Sequence, residues 1–441
     1  MTKDMSTTDK VSTDTNKLFS LRDKLHRKAK QEPNFRFYAL YSHIYREDTL
    51  YEAWRRVRKN NGSPGADGIS FKSIENSDEG VDGFLREIQK SLRDKTYRPS
   101  PVLRVTIDKP GGGHRHLGIP TIRDRVVQMA CFLILEPIYD ADFENCSYGF
   151  RTGRSTKDAV SQVRKHLRRG FNGVYDADIS GFFDNINHEK LLEFLEQRIV
   201  DRSVLRLIRY WLRCPIVDVD KGSGKKRYRY PKKGTPQGGV ISPLLANIYL
   251  HEFDRETYGS GGKLHQFNAR LVRYADDFVI LARYIGRPIE LLVKHILENK
   301  LWLELNPIKT HILNLKKDGA SFDFLGFTFR YDEDLHGGTQ DYLIILPSKK
   351  ALNRAKSAIR ELTRSWNKGS IEEVIARINR FLRGWGNYFE YGYPRRVFRK
   401  LNWYVVKRLT VFMKHRSQRT VRKRKHETWY RYLIRNGLKL L

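Results

Sequence analysis

Two short stretches of this 441-residue chain place acidic residues where acids are costly. In LVRYADDFVILA (residues 271–282), Asp276 and Asp277 stand side by side between two apolar, β-prone runs. The pattern predicts a hairpin whose tight turn is made of the two carboxylates. One Asp in such a turn is ordinary. Two adjacent ones repel unless a cation or a basic partner compensates. In VYDADISGFFDNI (residues 174–186), a strand delivers Asp178 at its end and runs into Gly181-Phe182-Phe183. Asp176 and Asp184 flank it and read as surface acids. Phosphoryl transfer to a nucleotide calls for two divalent cations about 4 Å apart on oxygen ligands. Mg²⁺ keeps several of its waters, so two or three carboxylates suffice. Asp178, Asp276 and Asp277 are the candidates, but spacing alone does not bring the first to the other two.

The elements that must position these residues belong to a long, basic, globular chain. Its 83 Lys and Arg against 50 Asp and Glu give a formal charge of +33, a field that recruits polyanions. A hydrophobic content of 40% excludes wholesale disorder. Three scattered cysteines, with no C-x-x-C, exclude a disulfide framework or a cysteine-rich zinc site. No apolar run of transmembrane length and no signal peptide are visible, so a cytoplasmic, nucleoid-associated protein that does not engage membrane is expected. Residues 1–50 read as an N-terminal extension, disordered to about residue 16 and helical beyond. Residues 51–345 mix short strands with amphipathic helices, an α+β pattern. From 346 to 441 only helices are expected. One starts at a capping box formed by Ser370 and Glu373. Residues 395–441 hold 16 Lys and Arg but only one acid, Glu427, with aromatic residues between them. A solvated face mixes signs, because like charges four apart destabilise a helix. This stretch, with Arg395, Arg396, Arg422, Lys423, Arg424 and Lys425, therefore reads as an RNA-binding surface.

The order of motifs resembles a reverse transcriptase. KPGGGHRHLGIPTIRDRVVQMA (109–130) and FENCSYGFRTGRSTKDAV (143–160) resemble two fingers blocks of that family. DADISGFFDNI, GTPQGG and YADD resemble its palm, LELNPIKT (303–310) the block with a nucleotide-proximal lysine, and FDFLGFTF (322–329) the primer grip. Among reverse transcriptases the sequence is similar to bacterial group II intron-encoded proteins. NNGSPGADGIS (60–70) resembles their extra fingers block, and RINRFLRGWGNYF (377–389) their helical thumb, the maturase domain. The implied fold is a right-hand fingers and palm followed by an all-helical thumb.

The resemblance implies that Asp178, Asp276 and Asp277 hold two Mg²⁺ ions, with Mn²⁺ able to substitute, and catalyse primer extension with dNTPs on an RNA template. It maps nucleotide contacts onto Lys109, Arg115, Phe182, Gln237 and Lys309. Lys109 and Arg115 bracket Gly111-Gly112-Gly113, a tip that would bring two cations onto a triphosphate. Phe182 would clash with a ribose 2′-OH, while Phe183 reads as core. The expected partners are an RNA template, a DNA or RNA primer, structured group II intron RNA and target DNA, with roles in splicing and mobility. Many relatives carry a C-terminal H-N-H endonuclease with paired cysteines. Neither is present here, so DNA-target cleavage is not expected. Two alternatives share these motifs: a free-standing relative recruited to host repair or phage defence, and an RNA-binding splicing cofactor with no polymerase role. The intact carboxylates weigh against the cofactor, and Phe182 against an RNA polymerase.

Overall fold

The computed structural model describes residues 7–108, 114–220, 222–332, 341–364, 369–415, 424 and 426–441. The chain divides into two compact units. One comprises Met1–Ser155, Ala177–Ile280 and Gly286–Thr310, the other Thr156–Asp176, Leu281–Ile285 and His311–Leu441.

The first unit is organised on the helix Ile122–Asp142. Apolar residues run around its whole circumference, so 16 of its 21 residues are buried. The Thr121 hydroxyl caps it by accepting from the Asp124 N–H at 3.1 Å. The helices Thr7–Gln31 and Glu47–Asn60 pack on it. The second of these stops where Asn61 turns left-handed at φ 44°, at the Asn-Gly step that signals a helix end. The polar N-terminal stretch departs from expectation, because helix begins at Thr7. Leu18, Leu25 and Ala29 are buried and Arg22 reaches Glu136 at 2.6 Å. Packing thus nucleates the helix and extension into polar sequence follows. Residues 1–6 lie outside the described residues.

A four-stranded sheet completes the fingers. Its strands run in the order His114–Ile119, Val102–Asp108, Ile216–Val219 and Lys226–Arg229. The first pair is antiparallel with Thr106 opposite His116, the middle pair is parallel, and the last is antiparallel with Asp218 opposite Arg227.

In the second unit, Gly173–Ala177 pairs antiparallel with His311–Asn314. A separate antiparallel sheet has Phe327–Asp332 between Ser321–Phe324 and Tyr342–Pro347. Its tight turn, Leu325-Gly326, has φ of 50° and 82°, the backbone of a type I′ hairpin. Helices follow: Lys349–Leu362, Ile371–Phe389, Arg395–His415 and Trp429–Arg435. Ile359, Val374, Ile378, Leu401, Val405 and Leu409 form their common core. The capping box is present, with Ser370 and Glu373 bonded reciprocally at 3.0 and 3.2 Å. Among the described residues no helix is long and apolar enough to cross a membrane.

Candidate active site

The strands Arg270–Tyr274 and Asp277–Ala282 leave only Ala275 and Asp276 between them. The turn therefore carries one carboxylate rather than two. Asp276 is half-buried, whereas Asp277 opens the second strand and is exposed. Ala275 is left-handed at φ 58°, a conformation that costs an L-residue about 1–2 kcal/mol.

Neighbouring groups hold the turn in that conformation. Arg273 is fully buried and donates Nη1–H to the Ala275 carbonyl at 2.9 Å and to Asn247 Oδ1 at 3.1 Å. Its Nε–H meets Asp254 Oδ1 at 2.7 Å, and Nη2 bonds to Asp254 Oδ2 and, at 2.8 Å, to Ser147 Oγ. Asn247 in turn donates to the Gly149 carbonyl at 2.8 Å. Gly149 lies so close to the turn that a Cβ there would sit 2.3 Å from the Ala275 nitrogen. Asp254 and Asn247 both come from the helix Ser242–Thr257, which buries them at 0% and 1% exposure.

Asp178 follows the strand Gly173–Ala177. Its carbonyl accepts from the Asn306 N–H, and the Ser180 N–H reaches the Glu304 carbonyl, both at 2.8 Å. Residues 304–309 thus run alongside, and Lys309 Nζ comes to 3.0 Å from Asp178 Oδ2. Burial pushes the Asp276 carboxyl above its ordinary range. Its own backbone N–H offsets part of this, the negative charge of Asp178 raises it further, and Arg115 and Arg273 oppose the rise. Asp178, Asp276, Arg115 and Lys309 therefore share one electrostatic neighbourhood. Among the described residues no three His, Cys, Asp or Glu side chains gather as a metal cluster.

The GTPQGG loop is clasped on two sides. Gly234 (φ 87°) approaches the Asp184 backbone so closely that a Cβ would be 2.8 Å from its carbonyl oxygen. The Gly234 N–H bonds the Ile186 carbonyl at 2.7 Å, and the Thr235 N–H bonds that of Phe183 at 2.8 Å. On the fingers side, the Gly118 N–H bonds the Gln237 carbonyl at 2.7 Å, and Arg115 Nε–H donates to Gln237 Oε1 at 2.8 Å. Arg115 and Gln237, 122 positions apart, are thereby brought together. Phe182 and Phe183 pack edge to face with centroids 5.3 Å apart. Phe182 is 2% exposed and Phe183 8%, so the ring expected on the sugar is the more deeply buried of the two. Gly181, left-handed at φ 52°, starts the short helix Phe182–Asn185.

In the helical unit, Arg395 and Arg396 are exposed at the start of Arg395–His415, and Arg424 is exposed nearer the C-terminus. Lys109, Arg422, Lys423 and Lys425 lie outside the described residues. Sequence reasoning missed a stripe on the same helix. Arg396, Arg399, Lys400, Trp403 and Lys407 are all exposed at helical spacing, with Lys407 5.1 Å above the Trp403 ring. It also missed Arg273, Asp254, Asn247 and Gly149. No local signal marks them, because each acts through partners from other segments of the chain.

Residues 107–329 match the family model described as reverse transcriptase (RNA-dependent DNA polymerase). The chain belongs to the reverse transcriptases. Residues 352–430 of this reverse transcriptase match the group II intron, maturase-specific domain, which assigns it to the group II intron type. It is 33% identical over 373 residues to protein YkfC of Escherichia coli (strain K12), across 76% of this chain and 94% of that protein. The match to the group II intron-encoded protein LtrA of Lactococcus lactis subsp. cremoris is 38% over 224 residues, 50% of this chain and 35% of LtrA. An uncharacterized 91 kDa protein in the cob intron of Schizosaccharomyces pombe is 26% identical over 458 residues, 87% of this chain and 55% of that one. The reverse transcriptase thus spans about a third of LtrA and about half of the yeast protein. The α+β fingers and palm and the helical thumb implied by its motifs are the fold of this family. Its polymerase domain is of a kind that works with divalent metal ions.

Proposed function

We propose that this reverse transcriptase extends a DNA or RNA primer with dNTPs on an RNA template, using two Mg²⁺ ions, with Mn²⁺ able to substitute. The observation that carries the reading is the electrostatic coupling of Asp178 to Asp276 across 98 positions of sequence. The negative charge of Asp178 beside the half-buried Asp276 carboxyl is one that a bound cation would compensate. Asp178 and Asp276 would be the ligands, with Asp277 supporting them. The chemistry that bound cations supply there is activation of the primer 3′-OH and charge neutralisation at the α-phosphate and leaving pyrophosphate. Arg115, which donates to Gln237, and Lys109 would contact the triphosphate, where a planar guanidinium suits phosphate oxygens. Lys309 supplies the compensating charge at Asp178 and stands beside the incoming nucleotide. Phe182 closes the floor beneath the sugar and rejects a ribose 2′-OH, with Phe183 packed against it as core.

The helical unit, with Arg395, Arg396 and Arg424 and the further cations Arg422, Lys423 and Lys425, grips structured group II intron RNA. It thereby assists splicing and brings the enzyme to target DNA. The setting is cytoplasmic and nucleoid-associated. The decisive test is Asp276→Ala in primer extension on poly(rA)/oligo(dT). Loss of several kcal/mol of transition-state stabilisation lowers the rate roughly 10³-fold or more, with RNA affinity unchanged. A variant retaining a tenth of the wild-type rate overturns the assignment.

A further inference from the structure

The fingers sheet has two faces, and one of them carries Arg115. Alternation along the strands puts Leu103, Val105, Leu117 and Val217 on the same face as Arg115, the residue that reaches Gln237. The other face carries Arg104, Thr106, His116, Arg227 and Arg229. With Lys225 they line an open groove of about 470 Å³. Two carboxylates lie among these cations, and both are committed. Asp218 bridges Arg104 at 3.5 Å and Arg229 at 3.3 Å, holding the two guanidinium groups side by side. Asp220 accepts from the N–H groups of Gly222 and Ser223 and from the Ser223 hydroxyl, at 2.7–3.1 Å, which closes the hairpin turn. Arg104, Lys225, Arg227 and Arg229 thus face two carboxylates, and the hairpin that supplies the last three (residues 215–234) holds seven Lys and Arg but only two acids. The edge strand Lys226–Arg229 is exposed at every residue, with Arg227 and Arg229 on the groove face and Tyr228, opposite Val217, on the other.

We infer that this second face of the fingers sheet is a docking surface for the sugar-phosphate backbone of a structured RNA other than the template strand in the active site. Charge complementarity identifies the partner: a groove lined by Arg104, Lys225, Arg227 and Arg229 fits the phosphates of a nucleic-acid backbone. The arrangement of the two faces identifies which strand. A strand seated beside Arg115, Gln237 and Asp276 addresses the first face, and the groove opens on the opposite side of the same sheet. Arginine pairs spread by a shared carboxylate are already oriented for two adjacent phosphate oxygens, so little ordering remains for binding to complete.

The inference rests on the polymerase reading, and its test separates the two. The double variant Lys225→Gln/Arg227→Gln leaves the Asp218 bridge intact and touches no residue placed at the active site. Binding is measured by filter retention against a structured RNA without primer, across a salt series. In parallel, steady-state extension is followed on a primer–template with a one-nucleotide overhang and on one with a long overhang. The inference expects the salt slope for structured RNA to fall by about 1.5 units, as the removal of two phosphate-neutralising cations requires. Affinity at low salt should drop about ten-fold, and kcat and the dNTP KM should be unchanged on both templates. Unchanged RNA affinity and slope overturn it. So does a defect confined to the long overhang, because the groove would then serve the template. If the variant loses its fold, Arg229→Gln alone must reproduce at least half of the slope change, or the inference falls. An inactive wild-type enzyme would refute the polymerase reading and leave the binding result to be judged on its own.

Discussion

The turn at Asp276 and the exposed stripe of the helix Arg395–His415 concentrate charge in opposite ways. Beside the turn the buried charge is fully bonded: Arg273 meets Asp254, Asn247, Ser147 and the Ala275 carbonyl. On the helix, Arg396, Arg399, Lys400 and Lys407 point to solvent around one indole. A reaction needs one carboxylate held in place before the substrate arrives, and buried hydrogen bonds supply that rigidity. Holding a polyanion needs only positive potential, which long solvated side chains provide without defined geometry. The first design should fail abruptly when one group is removed, and the second should fail gradually and in a salt-dependent way.

The sharpest way to break the contrast is to cut the buried pair. Arg273→Met leaves Asp254 charged in a site with no exposure, and should lower stability by about 3–5 kcal/mol. Adding Asp254→Leu should recover much of that loss, since it removes the stranded charge. Chemical denaturation of the single and double variants measures this. If both lose the same stability, the pair is not a coupled unit. Gly149→Ala probes the same anchor from the other side. Its Cβ would collide with the Ala275 backbone, so extension should fall at least ten-fold while structured-RNA affinity holds.

Next in size is the aromatic pair after Asp178. Phe182 and Phe183 are 2% and 8% exposed, so either change to Ala should destabilise by about 3–5 kcal/mol as a core truncation. Only the ring that borders the sugar should also raise rNTP use relative to dNTP. The motif order assigns that role to Phe182, whereas the exposures favour Phe183. Single-nucleotide incorporation with paired rNTP and dNTP decides between them. Equal discrimination in both variants would remove the pair from sugar selection.

What was legible in the sequence follows the range of the interactions involved. The Ser370–Glu373 box and the Asn61 stop are local and were readable, because a cap depends on a few neighbouring residues. The α+β character of the palm and the helical character of the thumb followed from motif order and hydrophobic period. The resemblance places Asp178, Lys309, Arg115 and Gln237 around one site. Spacing alone, however, does not show that Asp178 contacts Lys309, 131 positions away, or that Arg115 contacts Gln237, because each contact depends on segments meeting at a distance. The turn was misread by one residue. DD looked like a turn dipeptide, but the left-handed position falls on Ala275, which the Arg273 network and the close approach of Gly149 hold there. Arg273 itself was invisible, since a basic residue near a strand end reads as solvent-facing until its buried acid is located.

The smallest effect per residue is expected on the helix, where the comparison makes its most distinctive claim. Neutralising Arg399, Lys400 and Lys407 to Gln removes three exposed cations and no described ion pair. The apolar side of the helix, with Leu401, Val405 and Leu409 at 0% exposure, is untouched, so thermal stability should stay within about 1 kcal/mol. Each phosphate that the helix no longer neutralises should reduce the salt slope of structured-RNA binding by nearly one unit, about 2–3 units in all. The rate of extension at saturating template should match wild type. Trp403→Ala adds a second readout. If the exposed ring stacks on a base, its removal should weaken RNA binding by about 1–3 kcal/mol and leave the salt slope alone, because stacking releases no counterions. A triple variant whose extension fell in proportion to RNA affinity, even at saturating template, would mean that the helix positions the primer–template as well as gripping RNA. The division between a rigid reacting turn and a diffuse binding face would then not hold.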